Sequence, residues 1–235
     1  MSKEYKIQVL EEDQGDFDLS FKIIVIGDCF VGKSCLCLKA AKGLFNENYT
    51  PTIAFEFLSL FVKIEELIIK LQIWDTCGQE VYRSLIGSFY HNSSLAILVY
   101  SINNKNSFEN LESWLNEVKT LGNPDIKIFL IGNKADLEEE REVPKEKGEE
   151  FCKSHGINFF LETSARTGFN AMNVFLEASK LLYEQHLQFK VKLSKPNFIN
   201  NDTPLGNRNT TNIILETGEE IEEEDKIKRK KKCCL

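Results

Sequence analysis

The sequence predicts an α/β fold: a six-stranded, mostly parallel sheet with one antiparallel edge strand and helices on both faces. Three observations carry this expectation. Runs such as IIVI (23–26) and LAILVY (95–100) are apolar at successive positions, the pattern of strands buried on both faces. Segments with helical spacing stand between the later runs. Two strand-like stretches, 55–63 and 67–74, lie too close together to admit a crossover helix, so they pair as an antiparallel hairpin, expected at one edge.

Taken in order, residues 1–19 are polar and acidic and are expected to be disordered. FKIIVIG then forms the first strand and runs into a helix that begins after Lys33. The hairpin follows, and after it SLAILVYSI forms an interior strand. Between Ser107 and Gly122 the apolar residues Phe108, Leu111, Trp114, Leu115 and Val118 recur at three-to-four spacing, with Asn106 and Glu109 as a start signal. KIFLIG is another interior strand, and a last helix over roughly 170–187 carries Val174, Phe175, Ala178, Leu181 and Leu182 as a core-packing stripe. Beyond Phe189 the stretch KPNFINNDTPLGNRNTTN has no periodicity and reads as a linker. The expected organisation is therefore an N-terminal segment 1–19, a compact domain 20–187 and a flexible tail 188–235.

Composition narrows the function. With 235 residues, 42% hydrophobic and 28% charged, the chain can bury the core of one ordinary domain. A net charge of -7 argues against a general nucleic-acid binder. No apolar run approaches the roughly 18 residues that span a bilayer, and the acidic start MSKEYKIQVLEEDQGD is unlike a secretory leader. The seven cysteines form no CxxC pair, which suits a reducing compartment.

The chemistry is concentrated in three segments, each following an apolar strand. Gly27-Asp28-Cys29-Phe30-Val31-Gly32-Lys33-Ser34 fits G-x-x-x-x-G-K-[ST] between a strand and a helix. Its glycines let successive N–H groups converge on phosphate oxygens at the positive end of the helix, where Cys35 follows. Lys33 supplies a point charge for the terminal phosphates and the Ser34 hydroxyl a ligand for Mg2+. Asp75-Thr76-Cys77-Gly78-Gln79-Glu80 places a carboxylate for the metal at a strand end, a glycine N–H for the last phosphate and a glutamine to orient water. Asn133-Lys134-Ala135-Asp136 offers a carboxylate that pairs with the N1–H and 2-amino group of guanine, which adenine lacks.

These residues resemble the small GTPases of the Ras superfamily, most closely the Rab branch, over about residues 20–187. The resemblance implies further roles. Thr52, in YTPTIAFEF, corresponds to the threonine that binds Mg2+ and senses the last phosphate; Phe45 to the aromatic on the guanine ring; Tyr49 to the tyrosine covering the phosphates. Ser164, Ala165 and Arg166 correspond to the last base-contacting loop, with arginine where lysine is customary. Phe57, Trp74 and Tyr90 are taken as the three aromatics that face effectors. The implied reaction is hydrolysis of GTP to GDP and phosphate, with Gln79 and Lys33 as catalytic residues and a slow intrinsic rate. The implied partners are effectors, an exchange factor, a GTPase-activating protein, and the chaperones of prenylation and membrane extraction.

Four positions depart from the family pattern: Phe30 for a small residue, whose ring must point out of the site or crowd it, Ala54 for glycine, Cys77 for alanine and Ser101 for aspartate. They bear on hydrolysis and loop flexibility, and leave open an alternative in which the chain is a GTP-binding scaffold with little turnover. A small P-loop kinase is disfavoured by the absence of an arginine-rich lid and by the NKAD and TSA segments. The tail runs from acidic residues 219–225 into KIKRKKK and ends Cys233-Cys234-Leu235, resembling a Rab-type double geranylgeranyl acceptor. That end implies a lipid-anchored protein on the cytoplasmic face of an intracellular membrane, with a cytosolic pool and a part in vesicle traffic.

Overall fold

Strand β2 (Leu19–Ile26) sets the plan of the molecule, because its alternate side chains enter two different cores. Ile23 and Val25 point to one face of the sheet; Ile24 and Ile26 point to the other. The structure is a computed structural model that describes residues 4–10, 15–46, 55–78, 89–157 and 159–193. The remaining strands are β1 (Ile7–Leu10), β3 (Phe55–Ile64), β4 (Leu67–Thr76), β5 (Leu95–Ser101), β6 (Lys127–Asn133) and β7 (Phe159–Glu162). They form one seven-stranded sheet in the order β1-β3-β4-β2-β5-β6-β7. The pairs β4–β2, β2–β5, β5–β6 and β6–β7 are parallel, whereas β1–β3 and β3–β4 are antiparallel.

Helices cover both faces. On one, α1 (Lys33–Lys42) contributes Leu36, Cys37 and Ala40, and α5 (Ala171–Leu193) contributes Val174, Phe175, Ala178 and Leu182. On the other, α3 (Leu111–Leu121) contributes Leu111, Trp114, Leu115 and Val118, and α4 (Lys145–His155) contributes Cys152. A short helix, α2 (Lys105–Glu109), precedes α3. It starts at Asn104, whose side chain accepts from the Ser107 N–H, rather than at Asn106 as the spacing suggested. All seven residues of β5 are buried, as a central strand between two helical layers requires.

Three expectations need correction. The last helix runs to Leu193 and so takes in residues 188–193, expected to belong to the tail. The sheet has seven strands rather than six, because part of the segment expected to be disordered forms β1. Ile7 and Val9 pack against the same core as β3, Lys6 N–H donates to Glu65 Oε1 at 3.0 Å, and Tyr5 meets Tyr183 edge-on at 5.4 Å. The expected β3–β4 hairpin forms, turning at Glu65, yet it lies one strand in from the edge, since β1 pairs with Phe61–Ile64 on its outer side.

Candidate functional site

The chain leaves β2 through α1 toward the β3–β4 side of the sheet, while the next strand after that hairpin, β5, lies on the other side of β2, and a crevice opens at the carboxyl ends of the strands where the direction switches. The ends of β2, β4, β6 and β7 deliver Gly27, Asp75, Asn133 and Thr163 to it.

The turn from β2 into α1 depends on glycine at two points. At Gly27, φ is 140°, and a Cβ there would run into the Val99 carbonyl oxygen. At Gly32, the residue preceding α1, φ is 91° and a Cβ would strike the Asn133 amide. Between them Phe30 takes a left-handed conformation, φ 62°, unusual for a bulky residue. The residue is 76% exposed, so it stands at the rim of the site rather than crowding it.

Lys33 is buried, yet its ammonium group is not idle: Nζ donates to the Gly27 carbonyl at 2.9 Å and to the Asp28 carbonyl at 2.8 Å. Burial lowers its pKa, with Asp75 acting in the opposite direction. Beside it the Ser34 hydroxyl donates to Asp75 Oδ2. A hydroxyl and a carboxylate next to each other are hard oxygen donors, the set that suits Mg2+, which takes one or two protein oxygens together with phosphate and water. Ser34 and Asp75 therefore fit the metal expected there. Gly78 lies against the Asp28–Cys29 peptide so closely that a Cβ would overlap it.

The other half of the site is built around Asn133, which is buried. Its Nδ2 donates to the carbonyls of Val31 at 2.8 Å and Gly32 at 3.3 Å, while Oδ1 accepts from Thr163 Oγ1 at 3.1 Å and from the Ala165 N–H at 3.3 Å. One side chain thus joins the loop before α1 to the loop after β7. Ser164 Oγ donates to Asp136 Oδ1 at 2.6 Å, which fixes the carboxylate's orientation. Lys134, at φ 66°, has its pKa lowered by burial.

These groups surround a cavity of about 500 Å³. Cys29, Phe30, Gly32, Lys33, Ser34, Cys35, Phe45, Gly78, Asn133, Lys134, Asp136, Ala165 and Arg166 line it, all of them anticipated from the sequence. Thr76, Cys77 and Leu137 line it too and were not assigned there; each adjoins a motif residue, which is the signal that could have found them. Val31 turns its side chain into the core and offers its carbonyl to Asn133. Tyr49, Thr52, Gln79, Cys233 and Cys234 lie outside the described residues.

The aromatic surface differs from the expectation at one position. Phe57 is 45% exposed and meets Trp74 at 5.2 Å, but Tyr90 is 0% exposed, sits in the core beneath α3 and donates its hydroxyl to Glu117 at 3.0 Å. A side chain so buried presents nothing to a partner. Its neighbour Phe89 joins the patch instead, 5.1 Å from Trp74 and 4.7 Å from Phe55, with Lys22 Nζ over both the Trp74 and Phe89 rings.

The sequence model described as the Ras family matches residues 22–184, a stretch that begins within β2 and ends within α5.

Proposed function

The chain belongs to the Ras family of small GTPases, and from that premise we propose that it is a Rab-type switch of intracellular membrane traffic, anchored by a doubly geranylgeranylated C-terminus. Proteins of this family bind GTP, hydrolyse it with Mg2+, and act through effectors, exchange factors and activating proteins. The observation that carries the assignment of the site is the convergence of Lys33, Ser34 and the Asn133–Asp136–Ala165 group on one cavity, with the fully buried Asp75 carboxylate joined to it through the Ser34 hydroxyl. In this reading the triphosphate lies along the loop 27–34 and guanine lies between Phe45, Lys134 and Asp136.

The roles follow from the chemistry. Lys33 already spans the loop through two carbonyls and brings its charge to the terminal phosphates. Ser34 and Asp75 would hold the metal ion, which when bound would neutralise charge on the phosphate oxygens. The Gly78 N–H and Thr52 sense the last phosphate, and Gln79 orients water for attack. An arginine supplied by an activating protein is worth on the order of 10³ to 10⁵ in rate. Release of the phosphate frees both loops, and effectors that read Phe57, Trp74 and Phe89 dissociate.

The Rab reading is supported by KLQIW and TIAFEF, by the exposed aromatic patch, and by KIKRKKK set directly against Cys233 and Cys234. Two lipid chains anchor stably where one is marginal, and each basic residue near anionic lipid adds about 1 kcal/mol. The test is single-turnover hydrolysis of bound GTP by the purified chain beside Gln79→Leu, after competition with ATP. GTP preference with hydrolysis that falls in the variant supports a cycling switch; equal rates overturn the role of Gln79. For the anchor, the prenylated chain should float with vesicles and Cys233→Ser with Cys234→Ser should not.

A further inference from the structure

Asn110 breaks a local rule. It stands at the junction of α2 and α3, in the N-cap position of α3, where an asparagine side chain ordinarily accepts a hydrogen bond from the first turn. Here it makes no such cap. Its backbone serves both helices, the N–H donating to Asn106 O at 3.0 Å and the carbonyl accepting from the Ser113 N–H at 3.1 Å. Its side chain instead reaches 82 residues back and donates from Nδ2 to Asp28 Oδ2 at 2.7 Å. Trp114, buried one turn further on, donates from Nε1 to Asp28 Oδ1 at 2.8 Å. Each carboxylate oxygen of Asp28 therefore receives an N–H from the α2–α3 junction. A departure from local propensity that serves a distant group is a signature of function.

Asp28 is also an unexpected charge. It is the second residue of the loop proposed to cradle phosphate, where a free carboxylate would repel the ligand. The two donors turn that carboxylate toward α3, away from the cavity. The rest of Asp28 meets the site directly: its carbonyl accepts from Lys33 Nζ at 2.8 Å, and its peptide is the surface on which Gly78 rests. A shift of this one residue is felt by the lysine, by the loop after β4 and by the N–H groups of the loop itself.

We infer that the Asp28 carboxylate, held by Asn110 and Trp114, is a positioning group for the phosphate loop, and that the α2–α3 junction thereby sets how long a nucleotide stays bound. The inference rests on the assignment of the cavity as the nucleotide site. Trp114 is a buried donor that holds the loop in place, while Asn110 is exposed and can be pulled away by anything that docks on the junction. A protein partner that engages the Asn110 side would loosen the loop without entering the cavity.

The test uses the full chain loaded with Mg2+ and fluorescent GDP, chased with unlabelled GDP. Asn110→Asp, which sets two carboxylates against each other, should speed release about tenfold, the effect of losing one hydrogen bond to a charged group, while Asp28→Asn, which can keep only a neutral amide–amide bond to Asn110, should speed it less. Combined, they exchange carboxylate and amide and rebuild the bond with its polarity reversed, so release should return to within about threefold of the parent rate. A merely structural disturbance is not repaired by that exchange. Asn110→Ala, at an exposed position that folding tolerates, should also release GDP faster in the parent and should have no further effect on Asp28→Ala. Parent-like rates in Asn110→Ala and Asn110→Asp, or a double variant as fast as Asn110→Asp, overturn the inference alone. A parent chain that holds no GDP overturns the assignment of the site as well.

Discussion

Asn133 Nδ2 donates to the Val31 carbonyl at 2.8 Å, a bond that joins residues 102 positions apart and holds the phosphate loop against the end of β6. Asn133 also accepts from Thr163 and Ala165, so the two halves of the cavity share one buried amide. Asn133→Ala strands the Val31 carbonyl and the Ala165 N–H at once. It should cost about 3 kcal/mol, read from urea unfolding, and should speed nucleotide release in the same protein.

Ser34 and Asp75 predict a metal dependence. Chelating Mg2+ should speed release of fluorescent GDP from the parent chain by roughly tenfold or more, since the charge that ties phosphate to the loop is removed. Ser34→Ala should release rapidly with or without the chelator. A parent chain indifferent to chelation would exclude this pair as the metal site.

Tyr90 and Phe57 should behave oppositely. Tyr90→Ala removes a ring that is 0% exposed and should cost about 3–5 kcal/mol in urea unfolding. Phe57→Ala, at a ring 45% exposed, should cost under about 1 kcal/mol while abolishing effector binding. Equal losses of stability from both variants would contradict the division between core and surface.

Arg141 supports the base end of the cavity from behind. Its guanidinium makes paired bonds of 2.7 and 2.9 Å to Glu162, the residue before Thr163, and the two side chains are 17% and 12% exposed. Arg141→Ala leaves Glu162 without its cation and should cost about 3 kcal/mol at neutral pH. The same guanidinium, through its hydrogen bonds to Glu138, holds that carboxyl below its ordinary pKa. A carboxyl depressed in the folded state stabilises above its unfolded pKa and loses that contribution as pH falls through the folded value. The gap between parent and variant should therefore narrow in acid, measured as unfolding midpoints from pH 7 to pH 3.

The legibility of the molecule varied with the range of the interactions involved. The phosphate loop was readable because Gly27, Gly32, Lys33 and Ser34 answer to local requirements: two special backbone conformations, a charge and a hydroxyl within eight residues. Asn133 to Asp136 was readable for the same reason. Strand β1 was not, because four residues running straight into Glu11, Glu12 and Asp13 carry little signal until Phe61–Ile64 offers an edge to pair with. Tyr90 was misassigned because neighbouring aromatics on one turn point in directions about 100° apart, and what lies beneath α3 decides which is buried.

What the sequence by itself determined is the local chemistry: strands buried on both faces, the turns that demand glycine, the hydroxyl, carboxylate and amide side chains gathered in three motifs, and the family they indicate. What only the tertiary structure decided is which distant groups satisfy them. Asp28 reads as one more loop residue until Asn110 and Trp114 arrive from 82 and 86 residues away, and Asn133 reads as a base contact until it proves to clasp Val31. The physical reason is that a buried donor or acceptor must find a partner, while its identity along the chain leaves open which partner the packing of the sheet brings within 3 Å.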